Sequence, residues 1–201
     1  MTESLYLALN MDALDKIKNY FNSLVDMNAK DWEIFSSKLI RMEFPKRSLL
    51  LEMGKTEHYL SFIEQGIVRF NIPKLDYDFT FGFAFENSFV SGYDSFLTQL
   101  PSSYNLEAIT PCVLWRISFE DLHTVYETTS VGNFIGRKAI EDIFLKKMKR
   151  EMTLLEDSAK TRYLNLMREQ PELIKNIPLK YLASYIGIRP QSLSRIRKEI
   201  Y

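Results

Sequence analysis

The sequence predicts an α+β chain: helices first, then a compact β domain of short strands, then one long helix and a C-terminal helix-turn-helix. Three observations carry this. Apolar residues fall at helical spacing up to about Arg41, alternate from there to Phe119, and return to helical spacing beyond it. Gly54, Gly66 and Gly92 punctuate the alternating stretch at turn positions. Residues 179–198 then match, position by position, the two-helix pattern of a DNA-binding motif.

The lead helices are read from Leu14, Ile17, Tyr20, Phe21, Leu24 and Val25, then Trp32, Ile34, Phe35 and Leu39, with Asp12 and Asp31 as prospective N-caps. In the alternating stretch, Tyr59–Ile63 and Ile67–Phe70 flank Glu64-Gln65-Gly66, which predicts a hairpin with glycine supplying the positive φ. Phe79, Phe81, Phe83 and Phe85 alternate with smaller residues, so a strand places their rings on one face. That face suits core packing, with the lining of an apolar ligand pocket as the alternative. Strands through Leu106–Thr110 and Val113–Trp115 complete a barrel or sandwich.

Helix resumes after Phe119, with Ser118 and Asp121 forming a capped start. The longest periodic run extends from about Val131 to Leu155. Phe134, Ile135, Ile140, Ile143, Phe144 and Met148 lie on it at spacings of three and four, which predicts a dimer seam. Asp157-Ser158 ends this helix and caps the next, whose apolar face is Tyr163, Leu164, Leu166 and Met167.

The helix-turn-helix follows Pro178. Its first helix reads Leu179 to Ile186, Gly187 takes the turn, and Pro190 stands in the first turn of the second helix. Ala183 is small where the two helices approach, and Leu182, Ile186, Ile188, Leu193 and Ile196 fill the interior. Gln191, Ser192, Ser194, Arg195, Arg197 and Lys198 remain for the DNA face, where arginine, glutamine and serine supply base-edge and phosphate chemistry.

Composition bounds the function. The chain has 201 residues, 46% hydrophobic and 26% charged, the balance of a folded protein. No apolar run reaches membrane-spanning length and the N-terminus lacks signal-peptide character, so a cytoplasmic location is expected. Cys112 is the single cysteine and His58 and His123 are far apart, so no metal site is expected, and neither is a cysteine-ligated cluster. No nucleophile–base pair or phosphate-cradling glycine loop suggests an enzyme. Net charge is zero, yet residues 146–201 carry a net +7 and residues 1–145 a net −7, as expected of a basic binding module joined to an acidic one.

On FAFENSFVSGYDSFLTQLPSSYNLEAI, SAKTRYLNLM and IPLKYLASYIGIRPQSLSRIRKEI, the chain resembles the CRP/FNR family of transcription regulators, and most of all its short members common in Bacteroidetes. The resemblance implies a β-roll (a double-stranded β-helix of cyclic-nucleotide-binding type) as sensor over residues 1–118. It implies a dimerisation helix and linker over 119–157 and a DNA-binding domain over 158–201. It also implies a homodimer on a palindromic operator in double-stranded DNA, with RNA polymerase as a partner. By position, Pro190, Gln191 and Arg195 replace the Arg, Glu and Arg that read bases in the catabolite activator, so only Arg195 is kept, and Arg189, Ser192, Arg197 and Lys198 are expected on phosphates. A C-terminal hairpin wing, common in relatives, is not expected after the recognition helix.

The ligand site departs from the family pattern. Gly92 is followed by Tyr93 instead of glutamate, and Ser102-Ser103 stands where the phosphate-binding Arg-Ser/Thr pair is expected. A cyclic phosphate buried without its arginine loses several kcal/mol, so control by cAMP is not expected and no cofactor is predicted. An unknown effector would have Phe81, Phe83, Tyr93, Ser102, Ser103 and Tyr104 as contacts. The competing reading is an effector-binding module whose helix-turn-helix serves protein interaction.

Overall fold

The computed structural model describes residues 3–75 and 77–200, with backbone alone for residues 3–12 and Asp142. The chain divides into two compact units, one of Met1–Arg69 with Phe83–Ile140 and one of Phe70–Gly82 with Glu141–Tyr201.

The first unit opens with α1 (Glu3–Asn22) and α2 (Ala29–Ser36). Neither expected aspartate caps its helix. The first helix begins at Glu3, ahead of Asp12. Asn28, three residues before Asp31, caps the second by accepting the Asp31 N–H at 2.9 Å. The buried Asp31 carboxylate instead accepts the Ser130 N–H at 3.0 Å and its hydroxyl at 2.5 Å, tying α2 to a turn far along the chain.

Among the described residues, eight strands follow: β1 (Ile40–Phe44), β2 (Leu49–Leu51), β3 (Tyr59–Gln65), β4 (Val68–Ile72), β5 (Phe79–Ala84), β6 (Phe89–Val90), β7 (Asn105–Ala108) and β8 (Cys112–Ser118). They form two four-stranded sheets, ordered β1-β8-β3-β6 and β2-β7-β4-β5. The predicted hairpin of Tyr59–Ile63 with Ile67–Phe70 is therefore not formed: β3 and β4 enter different sheets. Gly66, at φ +105°, makes the corner. Its N–H goes to Glu86 Oε1 at 3.0 Å, and that of Ile67 to Thr110 Oγ1 at 2.8 Å, so neither serves a hairpin ladder. A Cβ there would lie 2.5 Å from the Pro111 carbonyl, a position only glycine tolerates. β3 is occupied on both edges, antiparallel to β8 and β6.

One face of the first sheet, with Phe62, Trp115 and Ile117, packs on the helices through Phe21, Phe35, Leu122, Val125 and Ile135. α3 (Tyr93–Thr98) leaves the sheet after β6, and α4 (Phe119–Thr128) and α5 (Gly132–Glu156) follow β8. Ser118 caps α4 as expected, accepting the Asp121 N–H at 3.0 Å. The phenylalanine strand differs from its core reading. In β5 the buried residues are Thr80 and Ala84, and Phe79, Phe81 and Phe83 on the other face are half-buried.

The opposite face of the first sheet carries Ile63, Leu114 and a buried ion pair. Arg116 stacks 4.1 Å over the Tyr59 ring and donates to Ser61 Oγ at 3.1 Å and to Glu57 Oε1 at 3.4 Å. Glu57 also accepts the N–H groups of Tyr59 and Gly92. Burial raises the Glu57 carboxyl above the ordinary glutamate range, and Arg116 and the amide donors only partly offset it.

The second unit contains the C-terminal part of α5, then α6 (Ala159–Glu169), α7 (Pro171–Asn176), α8 (Leu179–Tyr185) and α9 (Pro190–Ile200). Ser158 caps α6 through the Thr161 N–H at 3.1 Å, as the sequence predicts. The connection bounded by Pro171 and Pro178 contains a helix, with Pro171 at its first turn.

Because its native value is raised, Glu57 holds its proton in the folded chain at pH values where the unfolded chain has released it. Its stabilising contribution is full below about pH 4.3, the unfolded value, and is lost as pH rises through the native one. Denaturant titration should therefore show the stability of wild type relative to Glu57→Gln falling as pH rises through that window. A relative stability that rises instead would mean that pairing with Arg116 outweighs burial.

Candidate nucleic-acid interface

The second unit builds the predicted helix-turn-helix from α8 and α9. Leu182, Ala183, Ile186 and Leu193 are buried, while Ile188 and Ile196 are half-buried at the margin. Gly187 turns the chain at φ +81°, where its N–H reaches the Ser184 carbonyl and the Ile188 N–H reaches the Ala183 carbonyl, both at 3.0 Å. The carbonyls at the end of α8 would otherwise lack partners. Arg150 donates to the Tyr185 carbonyl at 2.8 Å and stacks 3.8 Å over the Tyr185 ring. Arg162 donates to the Ile186 carbonyl at 2.8 Å and to that of Asp157 at 2.5 Å. These two arginines fix the elbow from α5 and α6, and the sequence reading missed both, since nothing local distinguishes them from solvated basic residues.

The turn leaves α9 with one face buried on Leu193 and the other open. Arg189, Gln191, Arg195, Arg197 and Lys198 are exposed, and Pro190, Ser192 and Ser194 are half-exposed between them. All eight residues expected on the DNA face thus belong to one short segment, with Arg197 and Lys198 in its last turn. Backbone N–H groups at the start of such a helix and its guanidinium groups both suit a phosphate-lined groove.

Along α5 the expected seam divides. Ile135 is buried in the core of its own unit, and Phe134 and Ile143 are half-buried. Ile140, Phe144, Met148, Met152 and Leu155 are exposed at spacings of four, four, four and three, with Phe144 at 59% and Leu155 at 75%. An apolar stripe of this kind over a helix of 25 residues, about 37 Å long, is what a second helix would cover.

The residues expected around an effector come from β5, α3 and the segment between α3 and β7. Phe81 and Phe83 are half-buried on the same face of β5, with the Phe81 ring 5.7 Å from that of Phe70. Tyr93 begins α3 and stacks on Phe96 at 6.1 Å. Ser102 is buried with its hydroxyl committed to Tyr104, donating to the carbonyl at 2.9 Å and accepting the N–H at 3.2 Å. The Tyr104 hydroxyl donates to Asp94, and burial pushes its pKa up. Ser103 is exposed. Leu51 packs directly on Gly92, in the space any side chain at that position would need. Among the described residues, no three His, Cys, Asp or Glu side chains gather as a metal would require, and no helix is long and apolar enough to cross a membrane.

Residues 41–129 match the family model of the cyclic nucleotide-binding domain. No curated protein matches the chain by sequence. Among solved structures, the c-di-GMP-responsive global regulator CLP of Xanthomonas campestris is similar over 86% of this chain and 91% of its own, at 19% identity and a TM-score of 0.67. A protein of Eubacterium rectale assigned to the CRP/FNR family of transcriptional regulators matches over 90% and 87% of the two chains, at 16% identity and 0.68. The catabolite activator protein of Thermus thermophilus matches over 88% and 85%, at 17% identity and 0.55. At these identities the likeness is one of fold. The chain has the architecture of these regulators: a cyclic-nucleotide-binding-like β domain, a long helix and a C-terminal helix-turn-helix.

Proposed function

We propose that this chain is a sequence-specific DNA-binding transcription regulator of CRP/FNR type, acting as a homodimer and not controlled by cAMP. The observation that carries the reading is the open face of α9, where exposed Gln191, Arg195, Arg197 and Lys198, with exposed Arg189 just ahead of them, stand on a helix anchored by the fully buried Leu193. In this reading Arg195 contacts a guanine edge, and Arg189, Ser192, Arg197 and Lys198 contact phosphates. Two copies related by the exposed α5 stripe would present two such helices to a palindromic operator. RNA polymerase is then the partner of the DNA-bound dimer. The regulator is not an enzyme: it acts by where it binds.

Independence from cAMP is supported by Tyr93 in place of the glutamate, by Ser102 in place of the arginine, and by the internal use of the Ser102 hydroxyl. Leu51 also occupies the space over Gly92.

Selection of duplexes from a random-sequence pool by the purified protein at low salt tests the DNA reading. Enrichment of a palindrome is expected, with affinity falling steeply as salt rises; no enrichment would favour the protein-interaction reading. Arg195→Ala should cut discrimination between the selected palindrome and a mutated one by about 1–3 kcal/mol, a factor of about 5 to 150, with an unchanged sedimentation coefficient. Calorimetric titration with cAMP at micromolar concentration should release no binding heat, and saturable tight binding would refute the reading of Ser102.

A further inference from the structure

The second unit includes a segment remote in sequence from the helix-turn-helix, Phe70–Gly82, which spans the turn between β4 and β5. It is bound to the helix-turn-helix at two points. The buried Ser184 of α8 accepts the Thr80 N–H at 2.8 Å and donates to the Asp78 carbonyl at 3.1 Å, so a single hydroxyl holds two backbone groups of the segment. One step further out, the guanidinium of Arg189 lies 4.2 Å from the centre of the Tyr77 ring.

Arg189 immediately precedes Pro190, the first residue of α9. In a helix-turn-helix the start of the second helix contacts base edges and adjacent phosphates. The ring therefore covers one face of a cation at the entry to that helix.

We infer that the β4–β5 turn is a mask over the DNA-reading head, held by Ser184 and closed by Tyr77 on Arg189, which DNA must displace from Arg189 to bind. The inference rests on the DNA-binding reading above. It assigns Tyr77 an inhibitory role, the ring covering one face of Arg189 and crowding the approach of the DNA backbone to it. The clamp is a regulatory contact internal to this unit and needs no ligand.

The test is a titration of a mixed-sequence duplex of about 30 base pairs at low salt, where phosphate contacts dominate. Wild type, Tyr77→Ala, Arg189→Ala and the double variant are compared. Tyr77 is exposed, so its truncation leaves the core intact. Tyr77→Ala should tighten binding about two- to fivefold, the amount expected from releasing an exposed cation–π contact, and the gain should vanish in the Arg189→Ala background. In parallel, hydrogen exchange at the Thr80 amide should accelerate when the duplex is added. Unchanged or weaker binding by Tyr77→Ala while wild type binds would overturn the mask and leave the DNA-binding reading standing. An equal gain in the Arg189→Ala background would also overturn it. If neither wild type nor Tyr77→Ala binds the duplex, the DNA-binding reading itself falls and the mask with it.

Discussion

The turn at Gly187 is the constraint on which the functional reading depends. Its left-handed backbone lets the Ile188 N–H return to the Ala183 carbonyl at 3.0 Å, and this sets the direction in which α9 leaves α8. With that direction fixed, Leu193 is buried and Gln191, Arg195 and Lys198 face out. A Cβ at this position would meet no serious steric obstacle, its nearest neighbours being 3.7 Å and 3.9 Å away. What demands glycine is therefore backbone conformation and not space. Arg150 and Arg162 complete the elbow from outside by satisfying the carbonyls of Tyr185 and Ile186.

The same turn explains which parts were legible in the sequence. The helix-turn-helix is a local pattern: a small residue, a glycine, a proline and five apolar positions within twenty residues, so its limits and its open face follow from spacing. The long helix was legible for the same reason, since three-and-four periodicity persists without proline from Val131 to Leu155. The caps at Ser118 and Ser158 are also local, each resting on a hydroxyl and an N–H three residues later.

What the sequence misplaced depends on distant partners. Tyr59–Ile63 and Ile67–Phe70 look like a hairpin because they are adjacent strands around a glycine. Their edges are claimed by β8 and β6 on one side and by β7 and β5 on the other, and no local feature announces those claims. Asp31 looks like a cap but serves Ser130, 99 residues away. The pairing of Glu57 with Arg116 and the clamp of Ser184 on Thr80 span 59 and 104 residues. Ile135 carries the period of the α5 seam, yet its turn of the helix is still within its own core; the open stripe begins at Ile140. Periodicity reports which face is apolar and leaves open what covers it.

In the proposed function, two copies of α9 read one DNA duplex through a two-fold axis. Hydroxyl-radical footprinting on a duplex bearing the selected palindrome tests this most directly. Two protected patches related by symmetry are expected, with centres about 34 Å apart along the duplex, one helical turn, and protection of both lost together when Phe144→Asp breaks the α5 stripe. A single protected patch, or two that survive that substitution unchanged, would contradict it.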